Sequence, residues 1–521
     1  MTRSTRVTRA HRALRALLAG ALVVVMASIG APAATAASYI PITGTGSTWS
    51  QNALDQWRKN VAANYGMTIN YSGVGSSAGR RDFIAGTVDF AVSEIPFQSK
   101  PEDGSAPETP TIGYAYMPIV AGGTAFMYNL KISGKRVTNL RLSGEVITKI
   151  FTGAISKWND AAIQKDNPGL AMPDKTITPV VRSDGSGTSA QFTLWMSKQF
   201  PSLWTAGMRS QFPTPKGGKA QNGSLGVAGY VSQDYGEGAI TYVEYSYALK
   251  SGFPVAKVLN KQGYYIEPTA NSVAVALLSA GINSDLTQNL DNVYNSGDKR
   301  AYPLSSYSYM IVPTQVGGIF TEEKGATLGA FTRYMLCEGQ QQAPALGYSP
   351  LPMNLVQAGS DQIKRIPGAG SQGIDFTSCN NPTFKAGDSP SSNRLAATAA
   401  QPADCDKVGT TQCTTGTAGA TQDTPVSGTG GGGKSTSGGT TGGTTGGTGG
   451  TTGGTTQVDE NGNPLGGDNA SANGAVSKPF TVEDQGMGST QWLMVGAAVL
   501  FFAAVLVPPF LSRRLRGSTK K

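Results

Sequence analysis

A low-complexity tract late in the 521-residue chain limits which residues can fold. From Asp423 to Gly467 the sequence consists mainly of glycine, threonine and serine, with runs such as GGTTGGTTGG. A tract of this composition has too few apolar side chains to offset the entropy that is lost when a chain becomes ordered. We therefore predict a flexible tether over residues 383–490, preceded by a globular head that begins near residue 38.

The N-terminal residues have the pattern of a secretory signal peptide. Five arginines precede an apolar run from Leu17 to Ile29, and Ala34, Thr35 and Ala36 provide a small-residue cleavage site. The run is shorter than the ~20 residues that span a membrane, so a retained anchor helix is the less favoured alternative. We predict that residues 1–36 are a signal peptide and that the head is exported.

A second apolar segment lies near the C-terminus. Residues from Leu493 to Leu511 carry no charge, and a cluster of arginines and lysines follows them. This pattern predicts a transmembrane helix over residues 491–511 and a cytoplasmic tail over residues 512–521. A buried core helix is less favoured, because few soluble helices are apolar on every side. The protein is thus expected in the cell membrane, with a single pass and an extracellular head.

The positive charge of the chain comes from its two ends. The formal net charge is +9, but five arginines lie in the predicted signal peptide and five basic residues lie in the predicted tail. Without these ten charges the rest of the chain carries a formal charge of −1. A nucleic-acid partner, which requires a clustered basic face, is therefore not expected.

The cysteines and the single histidine limit the chemistry. Cys337, Cys379, Cys405 and Cys413 are an even number in an exported chain, which favours disulfides over metal ligands. We expect the pairs Cys337–Cys379 and Cys405–Cys413. The one histidine, His11, lies in the predicted signal peptide, so the mature chain has no imidazole for a catalytic triad or a zinc site. We expect no metal and no catalytic residue.

The head alternates strand-like segments with helical ones. Short runs that are typical of strands occur at residues 68–71, 88–92, 125–130, 177–181 and 239–243. Apolar residues recur at the period of a helix from Trp49 to Tyr65 and from Val146 to Phe151. This alternation predicts an α/β fold.

The head is too long for one compact core. At ~345 residues it exceeds the size at which single hydrophobic cores stop growing, so two lobes are expected. We predict that the chain crosses near Leu130 and returns near Ala301. The first lobe would then comprise residues 38–130 with 301–382, and the second lobe residues 131–300.

Three clusters of glycine, serine and threonine each look like the start of a helix. They are GTGSTW at 44–49, GVGSSAG at 73–79 and RSDGSGT at 182–188. The first N–H groups of a helix have no internal partner and lie at the positive end of its dipole, so small residues there let an oxyanion approach the backbone. Each cluster alone is more typical of an N-cap or a turn. Three in one chain, one of them beginning at an arginine, predict an anion site.

A fourth glycine-rich segment matches a nucleotide-binding pattern in its letters only. Residues 428–435, GTGGGGKS, fit the Walker A motif. The segment lies inside the low-complexity tract, with no predicted strand before it and no predicted helix after it. Nucleotide binding is therefore not expected.

Stretches throughout the head resemble the phosphate-binding proteins of bacterial phosphate ABC importers. They are GTGSTWS at 44–50, INYSGVGSSAGRRDF at 69–83, TVDFAVSE at 87–94, KIFTGAISKWND at 149–160, NPGL at 167–170, VVRSDGSGTSAQFT at 180–193 and GAITYVEYSYA at 238–248. The combination of GSSAG with RSDGSGTS is specific to this pattern. The resemblance ends at about residue 390, and it implies a two-lobed periplasmic-binding-protein fold of type II, with a hinge and a cleft between the lobes.

The resemblance also implies the function and the partners. The head would capture inorganic phosphate outside the cell, without a cofactor and without covalent chemistry. Its expected partners are two permease subunits and the cytoplasmic ATPase of an ABC importer. Phosphate would bind in the cleft, and hinge closure would bring the donors of the two lobes together.

Position by position, the resemblance implies which residues hold phosphate. The expected ligands are Ser47, Thr48, Trp49, Ser76, Glu94, Arg182, Ser186, Gly187 and Thr188. Asp184 would orient Arg182, whose guanidinium would be a charge-assisted donor. Glu94 stands where the family usually has aspartate, and Trp49 stands where phenylalanine is common. Both departures keep the chemical type but change the reach or the bulk of the side chain.

Two other functions are less favoured. An extracellular phosphatase could use Ser47, Thr48 or Ser186 as a nucleophile, but a hydroxyl needs an adjacent base or a metal ion to react. The tethered head could also be a surface adhesin. Stoichiometric retention of phosphate would indicate a receptor, turnover of a phosphate ester a phosphatase, and neither an adhesin.

Overall fold

The computed structural model describes residues 39–420 of the chain. The predicted signal peptide (1–36), transmembrane helix (491–511) and cytoplasmic tail (512–521) lie outside these residues, as does the Walker A match. Between residues 39 and 420, none of the helices combines the length and the apolar character that a membrane span requires.

Strands and helices alternate along the described residues, as the periodicity predicted. The strands are β1 (Ile42–Gly46), β2 (Ile69–Gly73), β3 (Phe90–Ser93), β4 (Tyr114–Tyr128), β5 (Lys131–Ile132), β6 (Lys135–Arg136), β7 (Arg141–Leu142), β8 (Thr178–Arg182), β9 (Lys219–Gln221), β10 (Ala239–Glu244), β11 (Val255–Leu259), β12 (Tyr265–Ile266), β13 (Gly281–Ile282), β14 (Gln288–Asn289) and β15 (Ser305–Pro313). The α-helices are α1 (Gln51–Tyr65), α2 (Ser76–Ile84), α3 (Gly144–Phe151), α4 (Ala161–Asp166), α5 (Gly187–Gln199), α6 (Gly223–Ser232), α7 (Tyr245–Ser251), α8 (Ala270–Leu277), α9 (Asp291–Tyr294), α10 (Glu322–Leu336), α11 (Ala343–Leu346), α12 (Met353–Ile363) and α13 (Arg394–Ala397). Short 3-10 helices lie at Asp234–Gly236, Glu338–Gln342 and Asp404–Asp406.

One large sheet connects two halves of the molecule. Its strands follow the order β2-β1-β3-β15-β4-β10-β8-β9, and β11 also pairs with β4. In the first half β1 is parallel to both β2 and β3. In the second half β8 is parallel to both β10 and β9. Helices connect the parallel strands in each half, which is the arrangement that parallel pairing requires.

The long strand β4 joins the two halves. It pairs with β15 as far as Gly123 and with β10 from Thr124 onward, so the chain passes from one half to the other inside the strand. We call residues 39–123 with 305–382 the first lobe, and residues 124–304 the second lobe. The predicted crossing at Leu130 lies just beyond the end of β4. Pro118 lies beside a bulge in β4, where Ile119 is the extra residue opposite β15, and a proline at this place does not look like part of a strand in the sequence.

Helix α1 shows how the apolar period of the sequence becomes core. Its buried residues are Ala53, Leu54, Trp57 and Val61, which recur at three- and four-residue spacing on one face. The indole Nε1 of Trp57 donates to the carbonyl oxygen of Gly339 at 2.8 Å, so the ring is buried without an unpaired N–H. The helix ends at Gly66, which has a φ of 66°. This left-handed conformation favours glycine at a helix C-terminus.

Residues 383–420 correct the predicted tether, which was to begin at residue 383. In the structure they contain α13 and a 3-10 helix, and Phe384 is buried. Both predicted disulfides, Cys337–Cys379 and Cys405–Cys413, are present. This C-terminal segment, as we call residues 383–420, is folded because it contains apolar side chains and a disulfide. The glycine- and threonine-rich tract begins only after this segment, at Asp423.

Candidate functional site

The predicted anion-binding segments meet where parallel strands end. In the first lobe Ser47 follows β1, Gly75 follows β2 and Glu94 follows β3. In the second lobe Ser183 follows β8 and Asn222 follows β9. Ligands of α/β sheets bind outside the carboxyl ends of parallel strands, so both lobes present the edge that is suited to binding. Helices α2, α5 and α6 begin at the same edges, and their N-termini favour negative charge.

Direct hydrogen bonds join the two lobes at this place. The hydroxyls of Thr48 and Ser224 lie 2.9 Å apart. The backbone N–H of Gly187 donates to Ser76 Oγ at 3.1 Å, and the N–H of Ser77 donates to a carbonyl of the second lobe, that of Gly185, at 3.1 Å. Residues that are far apart in the sequence are therefore brought into one closed cleft.

Arg182 is held by Asp184, as the resemblance implied. The arginine is 2% exposed, and its Nε donates to Asp184 Oδ1 at 2.6 Å, while its Nη2 donates to Asp184 Oδ2. Asp184 also accepts from the backbone N–H of Gly223 at 3.0 Å. A guanidinium that is held along one edge by both oxygens of a carboxylate loses little further freedom on binding an anion. Arg182 is buried and Asp184 is partly buried, so the pair is not a surface ion pair.

Glu94 is fully buried, and the hydroxyls around it donate to its carboxylate. Ser76 Oγ donates to Oε2 at 2.8 Å, and Ser308 Oγ donates to Oε1 at 2.9 Å. Burial raises the pKa of Glu94, and hydrogen bonds from Ser47, Ser76 and Ser308 together with the charge of Arg182 oppose that rise. Since Ser76 Oγ accepts from Gly187 N–H, its hydrogen is directed to the carboxylate. The contacts are those of a carboxylate that accepts hydrogen bonds.

The segment from Ser186 to Thr188 forms the start of α5. Ser186 caps the helix, because its Oγ accepts from the backbone N–H of Ser189 at 3.2 Å. Thr188 is 1% exposed, and its Oγ1 has no hydrogen-bond partner among the described residues. A Cβ added at Gly187 would lie 2.0 Å from Glu94 Oε2, so any other residue would force this helix away from the carboxylate.

Trp49 has a different environment from the one expected of an anion ligand. Its backbone N–H donates to Ser47 Oγ at 2.9 Å, so this donor is already engaged within the loop. Its ring is 1% exposed and packs edge-on against Tyr348 at 5.7 Å between ring centroids. Gly122 provides the space for the larger ring, since a Cβ there would lie 2.7 Å from Trp49 Cη2.

The sequence interpretation missed residues at the start of α6. Ser224 lies 3.4 Å from Arg182 Nη1 and contacts Thr48, so it stands between the two expected groups of ligands. Gln191, on α5, was also missed, and its Nε2 donates to the carbonyl oxygen of Glu94 at 2.7 Å. The stretch Asn222, Gly223, Ser224 is a small-residue cluster before a helix, so the criterion that found the other three clusters could have found it.

The site has one cation and two carboxyl groups. Arg182 contributes the positive charge, and the carboxyl groups are those of Asp184 and Glu94. An anion must therefore be held by N–H and hydroxyl dipoles around the arginine, with no surplus of positive charge. Beside such a carboxylate, a ligand that can donate a hydrogen bond binds more strongly than one that cannot.

Comparisons with known proteins place the chain among binding proteins. The family model described as "PBP superfamily domain" matches residues 31–338. "Phosphate-binding protein PstS" of Xylella fastidiosa is 36% identical over 329 residues, which cover 63% of this chain and 85% of the relative. The PstS of Pasteurella multocida is 33% identical over 322 residues, covering 61% of this chain and 88% of the relative. "Phosphate-binding protein PstS3" of Mycobacterium bovis is 30% identical over 320 residues, covering 60% and 82% respectively.

Proposed function

Because this chain belongs to the PBP superfamily and, within it, to the PstS phosphate-binding proteins of ABC importers, we propose that it captures inorganic phosphate and delivers it to an importer permease. The ligand is inorganic phosphate, and no cofactor is needed. The observation that carries the proposal is the meeting of Glu94 with the Arg182–Asp184 pair in one cleft.

The site residues follow from this function as part of the proposal. Arg182 and the hydroxyls of Thr48 and Thr188 donate to phosphate oxygens. Glu94 accepts the hydrogen bond of the phosphate proton, which sulfate lacks at neutral pH. The remaining residues expected from the resemblance are Ser47, Trp49, Ser76, Ser186 and Gly187, with Asp184 as the group that orients Arg182. Trp49 acts through packing, because its backbone N–H is engaged by Ser47.

The head acts as a receptor and not as an enzyme, and it works at the outer surface of the membrane. The apolar segment from residue 491 to 511 anchors it, with the basic tail in the cytoplasm. Its partners are two permease subunits and a cytoplasmic ATPase.

Truncation before Gln491 should release the head into the medium, and a truncated protein that stayed with the cells would contradict the anchor.

Calorimetry tests the function directly. Phosphate-free protein is titrated with phosphate, sulfate and a phosphonate. We expect one phosphate per chain, with much weaker binding of sulfate. A chromogenic phosphate ester is incubated with the same protein, and its turnover would indicate a phosphatase. Binding of none of these ligands would contradict the proposal and leave an adhesin as the alternative.

A further inference from the structure

A second contact between the lobes lies beside the anion site, at its edge. Residues 99–111 of the first lobe, which we call the edge loop, lie between β3 and β4. The carboxylate of Glu102 accepts from the backbone N–H of Ser210 at 2.7 Å and from the N–H of Gln211 at 2.7 Å. It also accepts from Ser210 Oγ at 3.1 Å. One side chain of the first lobe thus receives three hydrogen bonds from the second lobe.

The edge loop is fixed to the first lobe by an ion pair with a buried arginine. Glu108 receives hydrogen bonds from Arg80 Nε at 2.7 Å and from Arg80 Nη2 at 3.1 Å, and Arg80 is 1% exposed. The N–H of Gln98 donates to the same carboxylate at 2.7 Å. Arg80 lies on α2, the helix that begins at Ser76. The edge loop therefore moves with the helix that carries part of the anion site.

The residues that Glu102 contacts are equally well fixed to the second lobe. The carbonyl oxygen of Ser210 accepts from the N–H of Ser186 at 2.9 Å. The N–H of Arg209 donates to Thr193 Oγ1 at 2.7 Å, and Thr193 lies on α5. Glu102 consequently holds the segment that supports the start of α5, where Gly187 and Thr188 face the cleft.

We propose that Glu102 is a positioning residue that holds the lobes closed and sets the rate at which phosphate is released. The proposal rests on the proposed function, and it adds a residue that lies outside the set of phosphate ligands. Hydrogen bonds to an ionised carboxylate are among the stronger ones in proteins, and all three must break before the cleft can open. Gln211 is exposed, so water replaces these bonds on opening and reduces their net value.

The expected effect is on dissociation and not on association. Glu102 acts only once the lobes have met, so its loss should leave the encounter with phosphate unchanged. We expect Glu102→Ala to accelerate phosphate release about tenfold, and Glu102→Gln, which keeps one acceptor oxygen, to accelerate it about threefold. A shift of this kind in the release rate alone is not expected from a general loss of stability.

The test uses the full chain loaded with labelled phosphate and chased with unlabelled phosphate in a rapid-mixing instrument. Equilibrium affinity is measured in parallel, so that the association rate follows from the two values. Asp103→Asn is the matched control, because Asp103 is the neighbouring exposed carboxylate and, within residues 39–420, accepts its hydrogen bond from the N–H of Ser105 in its own loop, at 3.0 Å. Its release rate should equal that of the unmodified protein.

The outcomes separate this proposal from the proposed function. If the unmodified protein does not bind phosphate, the proposed function fails. If it binds and both Glu102 variants release phosphate at the unmodified rate, the Glu102 proposal is wrong. Equal acceleration by Asp103→Asn, or a slower association with unchanged release, would also overturn it, since either would indicate an effect of loop charge. If Glu102→Ala does not fold, the release rate of Glu102→Gln alone decides the test.

Discussion

The cleft between the lobes and the contact of the C-terminal segment with the second lobe are built from different interactions. The cleft is closed by hydrogen bonds between small polar groups, such as Thr48 with Ser224 and Ser76 with Gly187. The C-terminal segment is closed on itself by the Cys405–Cys413 disulfide, and it is held to the second lobe by buried side chains and by an ion pair, that of Lys257 with Asp406 at 2.7 Å.

Arg141 shows how tightly the C-terminal segment is bound. It is 1% exposed, and its Nη1 donates to the carbonyl oxygens of Cys405 at 3.1 Å and Thr411 at 2.9 Å. Its guanidinium also lies over the ring of Tyr265 at 4.4 Å. The loop that the Cys405–Cys413 disulfide closes thus covers a buried cation, which would be left without these acceptors if the segment detached.

This difference indicates that the cleft can open more easily than the contact of the C-terminal segment. Water can replace the hydrogen bonds of the cleft, so separating the lobes there costs little free energy. Detaching the C-terminal segment would expose apolar surface and leave the buried Arg141 guanidinium without its backbone acceptors, which is far more expensive. Substitutions in the cleft should therefore alter binding, and those under the segment should alter stability.

The largest effect is expected for Arg182→Ala. The loss of a charge-assisted bond of ~1.5–3 kcal/mol should weaken phosphate binding about 10- to 150-fold. Lysine at this position should restore only part of the affinity, because it lacks the planar fork of arginine. Calorimetry measures the change in phosphate affinity. An alanine variant that binds phosphate as tightly as the unmodified protein would mean that the site is elsewhere.

Arg300→Ala is the matched control for that substitution. Arg300 pairs with Asp298 two residues away, at 2.6 Å, and it also donates to the carbonyl oxygens of Ala396 and Ala399 in the C-terminal segment. Its removal should lower the free energy of unfolding while phosphate affinity stays unchanged.

The next effect is expected for the double substitution Cys405→Ser with Cys413→Ser. The loop between these cysteines is short, so its opening should cost about 2–3 kcal/mol of unfolding free energy. Denaturant unfolding measures this loss, and phosphate affinity should stay within about twofold of the unmodified value. A loss of affinity without a loss of stability would break the distinction between the two regions.

A smaller effect is expected on ligand selection from Glu94→Gln. The amide can donate as well as accept, so sulfate should no longer be rejected as strongly, and the gap between phosphate and sulfate should narrow about tenfold. Competition binding at neutral pH measures the gap. Equal rejection of sulfate by both proteins would remove Glu94 from the site.

The smallest effect is expected from Glu244→Gln, on the pH dependence of stability. Glu244 is the last residue of β10, beside the cleft, and burial raises its pKa well above 4.5. The folded protein then binds a proton that the unfolded chain releases, so stability falls as the pH rises from about 4.5 toward the raised pKa. Glutamine mimics the neutral form of Glu244. Over this pH range, the loss of unfolding free energy should therefore be about 1 kcal/mol smaller in the variant than in the unmodified protein. Urea unfolding at several pH values measures both slopes, and parallel slopes would contradict the assignment.

Much of the fold could be predicted because it depends on local patterns. The apolar period of α1 and the runs that became β2, β3, β8 and β10 are visible in the sequence, since burial of one face needs regular spacing. The N-terminal half of β4 was missed, because Pro118 and the paired glycines resemble a turn. The predicted tether began too early, because a composition average does not show where apolar side chains become sparse.

The sequence alone was enough to predict the family and the two cysteine pairs, because motifs and spacing are properties of neighbours along the chain. The residue types of the phosphate site remain a prediction from the same motifs. Only the tertiary structure could bring Ser224 between Thr48 and Arg182, or Glu102 to the backbone of Ser210. The contacts of Ser224 with Thr48 and of Glu102 with Ser210 join residues from different lobes, and no local pattern encodes the distance between them. Packing of the two lobes sets that distance, since closure of the cleft depends on every strand and helix that positions its edges.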